Sequence, residues 1–153
     1  MAISGYALIK FIHVLLAITA VGFNATYAVW LTRAARDPGH GLFVLRGIKL
    51  LDDRFANPAY VLLLVSGIAM VLVNQIPIDT FWLASAIVLY VILIIVGLGM
   101  YTPSLRRQIS IFESEGPTSN NYRTAARRGT IIGAVLAVDA IAIVFLMVTK
   151  PTL

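Results

Sequence analysis

The stretch TFWLASAIVLYVILIIVGLGMYTPSL, residues 80–105, runs for 26 residues without a charged side chain. About 20 predominantly apolar residues in helical form are enough to cross the hydrocarbon core of a bilayer. Working outward, the same pattern recurs on both sides. Residues 55–78 form a charge-free run of 24, and residues 11–32 one of 22. Residues 129–149 give a fourth run of 21 whose single charge is Asp139. Trimmed to hydrocarbon limits, the runs predict helices at 6–31, 58–74, 80–101 and 129–149, with connections at 32–57 and 102–128. The fold class that follows is all-α: an integral membrane four-helix bundle occupying residues 1–153 as a single membrane domain.

Composition agrees. Hydrophobic residues make up 59% of the 153 and charged residues 12%, with a mean hydropathy of +0.90. A soluble domain carries about 25% charged residues, so there is too little polar side chain to cover a surface facing water. The chain has no cysteine, which excludes disulfides, thiolate metal sites and cysteine nucleophiles. A net charge of +5 does not point to nucleic acid, because the basic residues lie between apolar spans, where they orient a membrane protein.

That orientation can be read directly. The first connection holds Arg33, Arg36, Arg46, Lys49 and Arg54, and the third holds Arg106, Arg107, Arg123, Arg127 and Arg128. The short second connection, residues 74–79, holds none. Positive loops stay inside, so the two long connections are expected in the cytoplasm and both termini outside. The expected location is a bacterial inner membrane, crossed several times. The first apolar run is longer than the 7–15 residues of a signal-peptide core and ends in Tyr27, Trp30 and Arg33, so it reads as a span, not a cleaved leader.

Within the connections, residues 42–54 read as an interfacial helix with Phe43, Leu45, Ile48, Leu51 and Phe55 on its apolar side. Residues 115–121, EGPTSNN, read as a loop. Between the second and third spans, NQIPID makes a tight turn, with Asp79 or Thr80 as the helix N-cap.

Polar residues inside the spans are the candidates for function, since they are costly in hydrocarbon and turn toward the bundle interior. Lys10, His13, Ala17, Ala20, Asn24, Tyr27 and Leu31 follow a 3-4-3-4 spacing and form one stripe on the first helix. His13 is expected to face inward, and Lys10 to reach back toward the outer surface. At 1.5 Å per residue, His13 lies about 10 Å and Asp139 about 15 Å below the outer ends of their helices. A His13–Asp139 hydrogen bond is therefore feasible. The expected intramembrane polar contacts are Lys10, His13, Asn24 and Asp139, a set that would fix helix register. A second reading makes His13 an axial ligand of a b-type haem, because imidazole ligates haem and helix bundles hold it between facing helices. The only other histidine, His40, stands in a connection, so a second ligand would come from Met70, Met147 or a neighbouring copy. Gly129, Gly133 and Ala137 form a small-residue line for close helix approach. No phosphate loop, paired carboxylate, nucleophile triad or metal-spaced cluster is visible, so no catalytic residue is assigned.

Three segments carry a resemblance: LIKFIHV at 8–14, DRFANPA at 53–59 with Ser66-Gly67, and LMVTKP at 146–151. Together they resemble a family of small bacterial integral membrane proteins of unknown function. That family is distantly similar to the copper-resistance D membrane domain and to the membrane protoporphyrinogen oxidase that binds b-type haem. The resemblance implies His13 as a haem ligand. The oxidase's later lysine has no counterpart at a matching depth, since Lys150 stands at the other end of the last helix. No methionine or histidine cluster suited to copper is present. Two functions follow: a small haem-binding protein in a redox-associated role, or a non-catalytic accessory subunit packed against a larger membrane complex. The expected partners are membrane lipid and either further copies of the chain or that complex.

Overall fold

The computed structural model describes residues 4–152. Six α-helices follow one another: α1 (Gly5–Arg36), α2 (Pro38–Leu51), α3 (Asn57–Asn74), α4 (Phe81–Val96), α5 (Thr102–Glu115) and α6 (Asn120–Thr149). Two π-helical turns, Asp52–Ala56 and Gly97–Tyr101, join α2 to α3 and α4 to α5 without a break. The chain therefore makes four long helices, each long and apolar enough to cross a membrane. There is no strand among the described residues.

Both π turns have the same cause. Pro58 and Pro103 follow them directly, at the start of α3 and α5. A proline inside a helix cannot donate to the carbonyl four residues back, and its ring collides with that carbonyl. Opening the turn by one residue relieves the collision. The amide of Asn57 then bonds the carbonyl of Asp52, and that of Thr102 bonds Gly97. The widened turns let the chain continue where a proline would otherwise end the helix.

The continuous helices Pro38–Asn74 and Phe81–Glu115 are 37 and 35 residues long. At 1.5 Å per residue they exceed 50 Å, against about 30 Å of hydrocarbon. Their α2 and α5 portions thus extend past the core at the end where the basic residues gather. The segment 102–128, expected as a connection, is helical except around residues 116–119. Gly116, at φ 81°, ends α5 in backbone space that favours glycine. Ser119 then caps α6, its hydroxyl accepting from the Tyr122 amide at 3.1 Å. At the opposite end, Gln75 closes α3 in the left-handed region. Thr80 is the N-cap of α4, but its hydroxyl donates back to the Pro77 carbonyl at 2.6 Å and makes no side-chain cap; the Leu83 and Ala84 amides bond the Thr80 carbonyl instead.

In the apolar part, α1 packs on α3 and α4 on α6. The two pairs join mainly at the basic end, where α2 lies against both α1 and α5, and α5 against α6. The core sits there: Tyr27, Leu45, Ile48, Tyr101, Leu105 and Ile132 are buried together, with Phe23, Leu31, Phe112 and Tyr122 around them. The apolar side predicted for α2 divides. Leu45 and Ile48 are buried and Leu51 half-buried, whereas Phe43 is 80% and Phe55 50% exposed. Phe43 is two residues from Leu45, about 200° round a regular helix and so on its opposite side, and Phe55 lies within the π turn, which changes the angle beyond Leu51. The small-residue line on α6 divides as well. Gly129 faces the Gln108 and Ser104 side chains and Gly133 the Tyr101 ring, but Ala137 is exposed. Over α3, α4 and α6 large apolar side chains point outward, among them Leu72, Val138 and Ile95. That surface matches lipid.

Candidate functional site

The stripe on α1 is its inward side. Ala20 and Tyr27 are buried, His13, Ala17, Asn24 and Leu31 half-buried, and Lys10 exposed. The stripe meets α3, where Ala59 and Ser66 are the buried residues, and polar contacts form where the two helices touch.

At the level of His13 the partner is Ser66. The imidazole Nδ1 lies 2.8 Å from Ser66 Oγ, and Ser66 Oγ lies 3.1 Å from the Leu63 carbonyl. A serine hydroxyl has one proton, so two arrangements share this geometry. With Ser66 donating to the Leu63 carbonyl, its oxygen accepts from Nδ1–H and Nε2 keeps a free lone pair; with Ser66 donating to Nδ1, the ring proton sits on Nε2. Gly67 completes the seat: a Cβ there would stand 3.4 Å from His13 Cε1, so the ring lies close against the α3 backbone.

Nearer the middle of the spans, each of the four long helices contributes a polar residue. The Asn24 amide donates to its own helix at Ala20 and to the Tyr60 hydroxyl at 3.0 Å. The Tyr90 hydroxyl of α4 donates to the Tyr60 carbonyl, and Asp139 stands half-buried on α6. Asp139 Oδ2 is buried without a hydrogen-bond partner among the described residues. The sequence made a His13–Asp139 bond feasible, and the structure gives His13 to Ser66 instead. The reason is pairing, since α1 runs along α3 and touches α6 only lightly.

A third cluster ties the two π turns together. Asp52, only 4% exposed, opens the first turn and accepts from Thr102 Oγ1 at 3.0 Å, just beyond the second turn. Asn57 adds a longer bond at 3.3 Å. Asp52 precedes the apolar run, and burial raises its pKa above the ordinary carboxylate value, with the Thr102 bond acting the other way. Tyr27 belongs to the same core, with its hydroxyl buried and without a hydrogen-bond partner among the described residues. Sequence reasoning passed over Asp52, Thr102, Tyr60 and Tyr90. One signal was available for the first two: a polar residue followed by proline recurs at Asn57-Pro58 and Thr102-Pro103, deep in two long helical segments.

Of the predicted haem ligands, His13 has a hydrogen-bond partner on its ring, Ser66. Metal-bound histidines commonly hold their second ring nitrogen in such a bond. Met70 stands one turn beyond Ser66, half-buried, on the helix that already abuts the ring. Met147 is half-buried on α6. Neither is placed opposite His13 by any contact in the structure. No group of three histidine or acidic side chains able to hold a metal ion occurs among the described residues.

Four apolar helices with their polar residues turned inward define an integral membrane protein. The chain belongs to the family described as "Predicted integral membrane protein (DUF2269)", which matches residues 7–151. No curated protein and no solved structure matches it.

Proposed function

We propose that this protein presents His13 within the membrane as the axial ligand of a b-type haem, in a redox-associated role at the bacterial inner membrane. The supporting observation is the hydrogen-bond chain from Nδ1 through Ser66 to Leu63, which in the Nδ1–H tautomer leaves Nε2 unprotonated and able to ligate. The distant similarity suggested between the chain's family and the haem-binding oxidase would assign the same residue. Ser66 would hold the ring orientation, and its acceptor bond would make the imidazole a stronger donor to iron. A haem in this position would pass single electrons. The orientation that suits the basic-residue count puts both termini outside, with His13 in the outer half of the bilayer.

The test is a reduced-minus-oxidised absorption spectrum of detergent-purified protein from haem-replete cells. A Soret band should be present and should vanish in His13→Ala, with helix content unchanged by circular dichroism. A colourless, stable wild-type preparation would end the proposal.

One observation favours a second reading, the accessory subunit. Asp139 is only half-buried on α6, and a donor from a neighbouring chain could reach the part of this carboxylate that is left open. Cross-linking in native membranes should then give a discrete larger species that Asp139→Leu disperses and Asp139→Asn retains. A monomeric species throughout would remove that reading.

A further inference from the structure

The elbow between α1 and α2 forms an open groove of about 880 Å³. Val29, Trp30, Arg33 and Arg36 line it from the last turns of α1, and His40 and Val44 from the start of α2. Its charge is unevenly matched. Elsewhere on α2, Arg46 is paired with Glu113 at 2.6 Å and Lys49 with Asp53. Arg33 and Arg36 form no ion pair among the described residues. The one carboxylate in the groove, Asp37, is held by His40 at 2.8 Å. The α2 N-terminus also opens here, and Asp37 makes no side-chain capping bond to it. The His40 amide bonds the Asp37 carbonyl at 3.2 Å, so the positive charge of the groove comes mainly from the two arginines.

The apolar part has a direction. Val29 and Trp30 lie on the exposed, lipid-matching side of α1, at 58% and 49% exposure, with the arginines one turn further toward the basic end. An occupant must therefore carry a negative head and an apolar body side by side, oriented along the membrane normal. Indole at this level is the usual interfacial anchor, and arginine matches a phosphate with paired donors.

We infer that this groove is a binding site for one anionic phospholipid, its phosphate between Arg33 and Arg36 and its acyl chain against Val29 and Trp30.

Native mass spectrometry of the detergent-purified chain tests this, using phosphatidylglycerol and phosphatidylcholine of the same acyl length, with glycerol phosphate as a soluble competitor. Phosphatidylglycerol should be retained in preference. Each basic residue at a membrane surface contributes about a fivefold gain in binding. The double variant Arg33→Gln/Arg36→Gln should then lose roughly 25-fold in phosphatidylglycerol affinity. Arg33→Lys/Arg36→Lys should keep most of the preference. Arg106→Gln/Arg107→Gln, on α5, should leave it unchanged, with circular dichroism confirming that each variant is folded. Equal retention of the two lipids would overturn the site. So would an equal loss in the α5 pair, which would mean diffuse charge, or full displacement by glycerol phosphate at the lipid's own concentration.

Discussion

The two ends of this molecule are held together by different physics. At the basic end, α2 and α5 lie past the hydrocarbon, and a core forms around Leu45, Ile48, Tyr101 and Leu105, much as in a small soluble domain. Tyr27 and Ile132 of this core still belong to the spans, but where α2 and α5 pass the hydrocarbon water is the competing solvent, so burial itself stabilises. At the terminal end the helices meet as two pairs, and large apolar side chains face outward. Lipid tails are as apolar as those side chains, so hydrophobic burial drives little association. What remains is close approach at Gly67 and single polar bonds such as His13–Ser66, with Lys150 over the Trp82 ring at 5.3 Å closing α6 onto α4. The molecule is tied firmly at one end and lightly at the other.

Mutations should follow that gradient, read as thermal unfolding in detergent. Leu45→Ala removes the one fully buried large side chain and should cost about 2–5 kcal/mol, the largest single effect. A loss no bigger than at a lipid-facing leucine such as Leu72 would mean the basic end is not a water-driven core. Asp52→Leu breaks the tie between the π turns and strands the Thr102 hydroxyl, which should cost about 1–3 kcal/mol.

Asp52→Asn keeps an acceptor and supplies the pH test. Burial raises the Asp52 pKa in the folded protein, so the fold disfavours its ionised form. The advantage of the protonated acid is fully present below the unfolded carboxylate value and is lost as pH rises through the raised folded value. Wild type should therefore fall relative to Asp52→Asn as pH rises above the ordinary carboxylate range, and a pH-independent difference would contradict a buried acid.

Tyr27→Phe removes an unpartnered buried hydroxyl and should be neutral or stabilising by about 1 kcal/mol. A clear loss would reveal a partner for that hydroxyl. Ser66→Ala at the lipid end should have the smallest effect, about 0.6 kcal/mol, the average for polar bonds between helices in a membrane. A loss as large as that of Leu45→Ala would erase the contrast between the ends.

The spans were legible because a bilayer demands long apolar runs, and nothing else in a chain of this length produces four of them. The inward stripe of α1 was legible from its 3-4 spacing, and α2 from its mixed basic and apolar residues. The helical start of α6 was hidden by composition, since NNYRTAARR reads as polar chain until a capping serine and a packed Tyr122 are seen. The partner of His13 was hidden for another reason. Depth follows from residue counting, and it placed His13 and Asp139 at comparable levels. Which helices lie side by side depends on contacts between distant segments, and α3 took the position that the counting left open for α6.

The two π turns also alter what a small change of length does to this protein. Each is in effect one residue more than a regular helix needs, so deleting a single residue from Asp52–Ala56 could let the chain re-form unbroken α-helix. Repair of that kind would turn α2 by on the order of 100° relative to α3. Leu45 and Ile48 would swing out of the core and the exposed Phe43 toward it. In these two short stretches the number of residues carries as much information as their identity, and a one-residue gap is a rotation of everything on the far side.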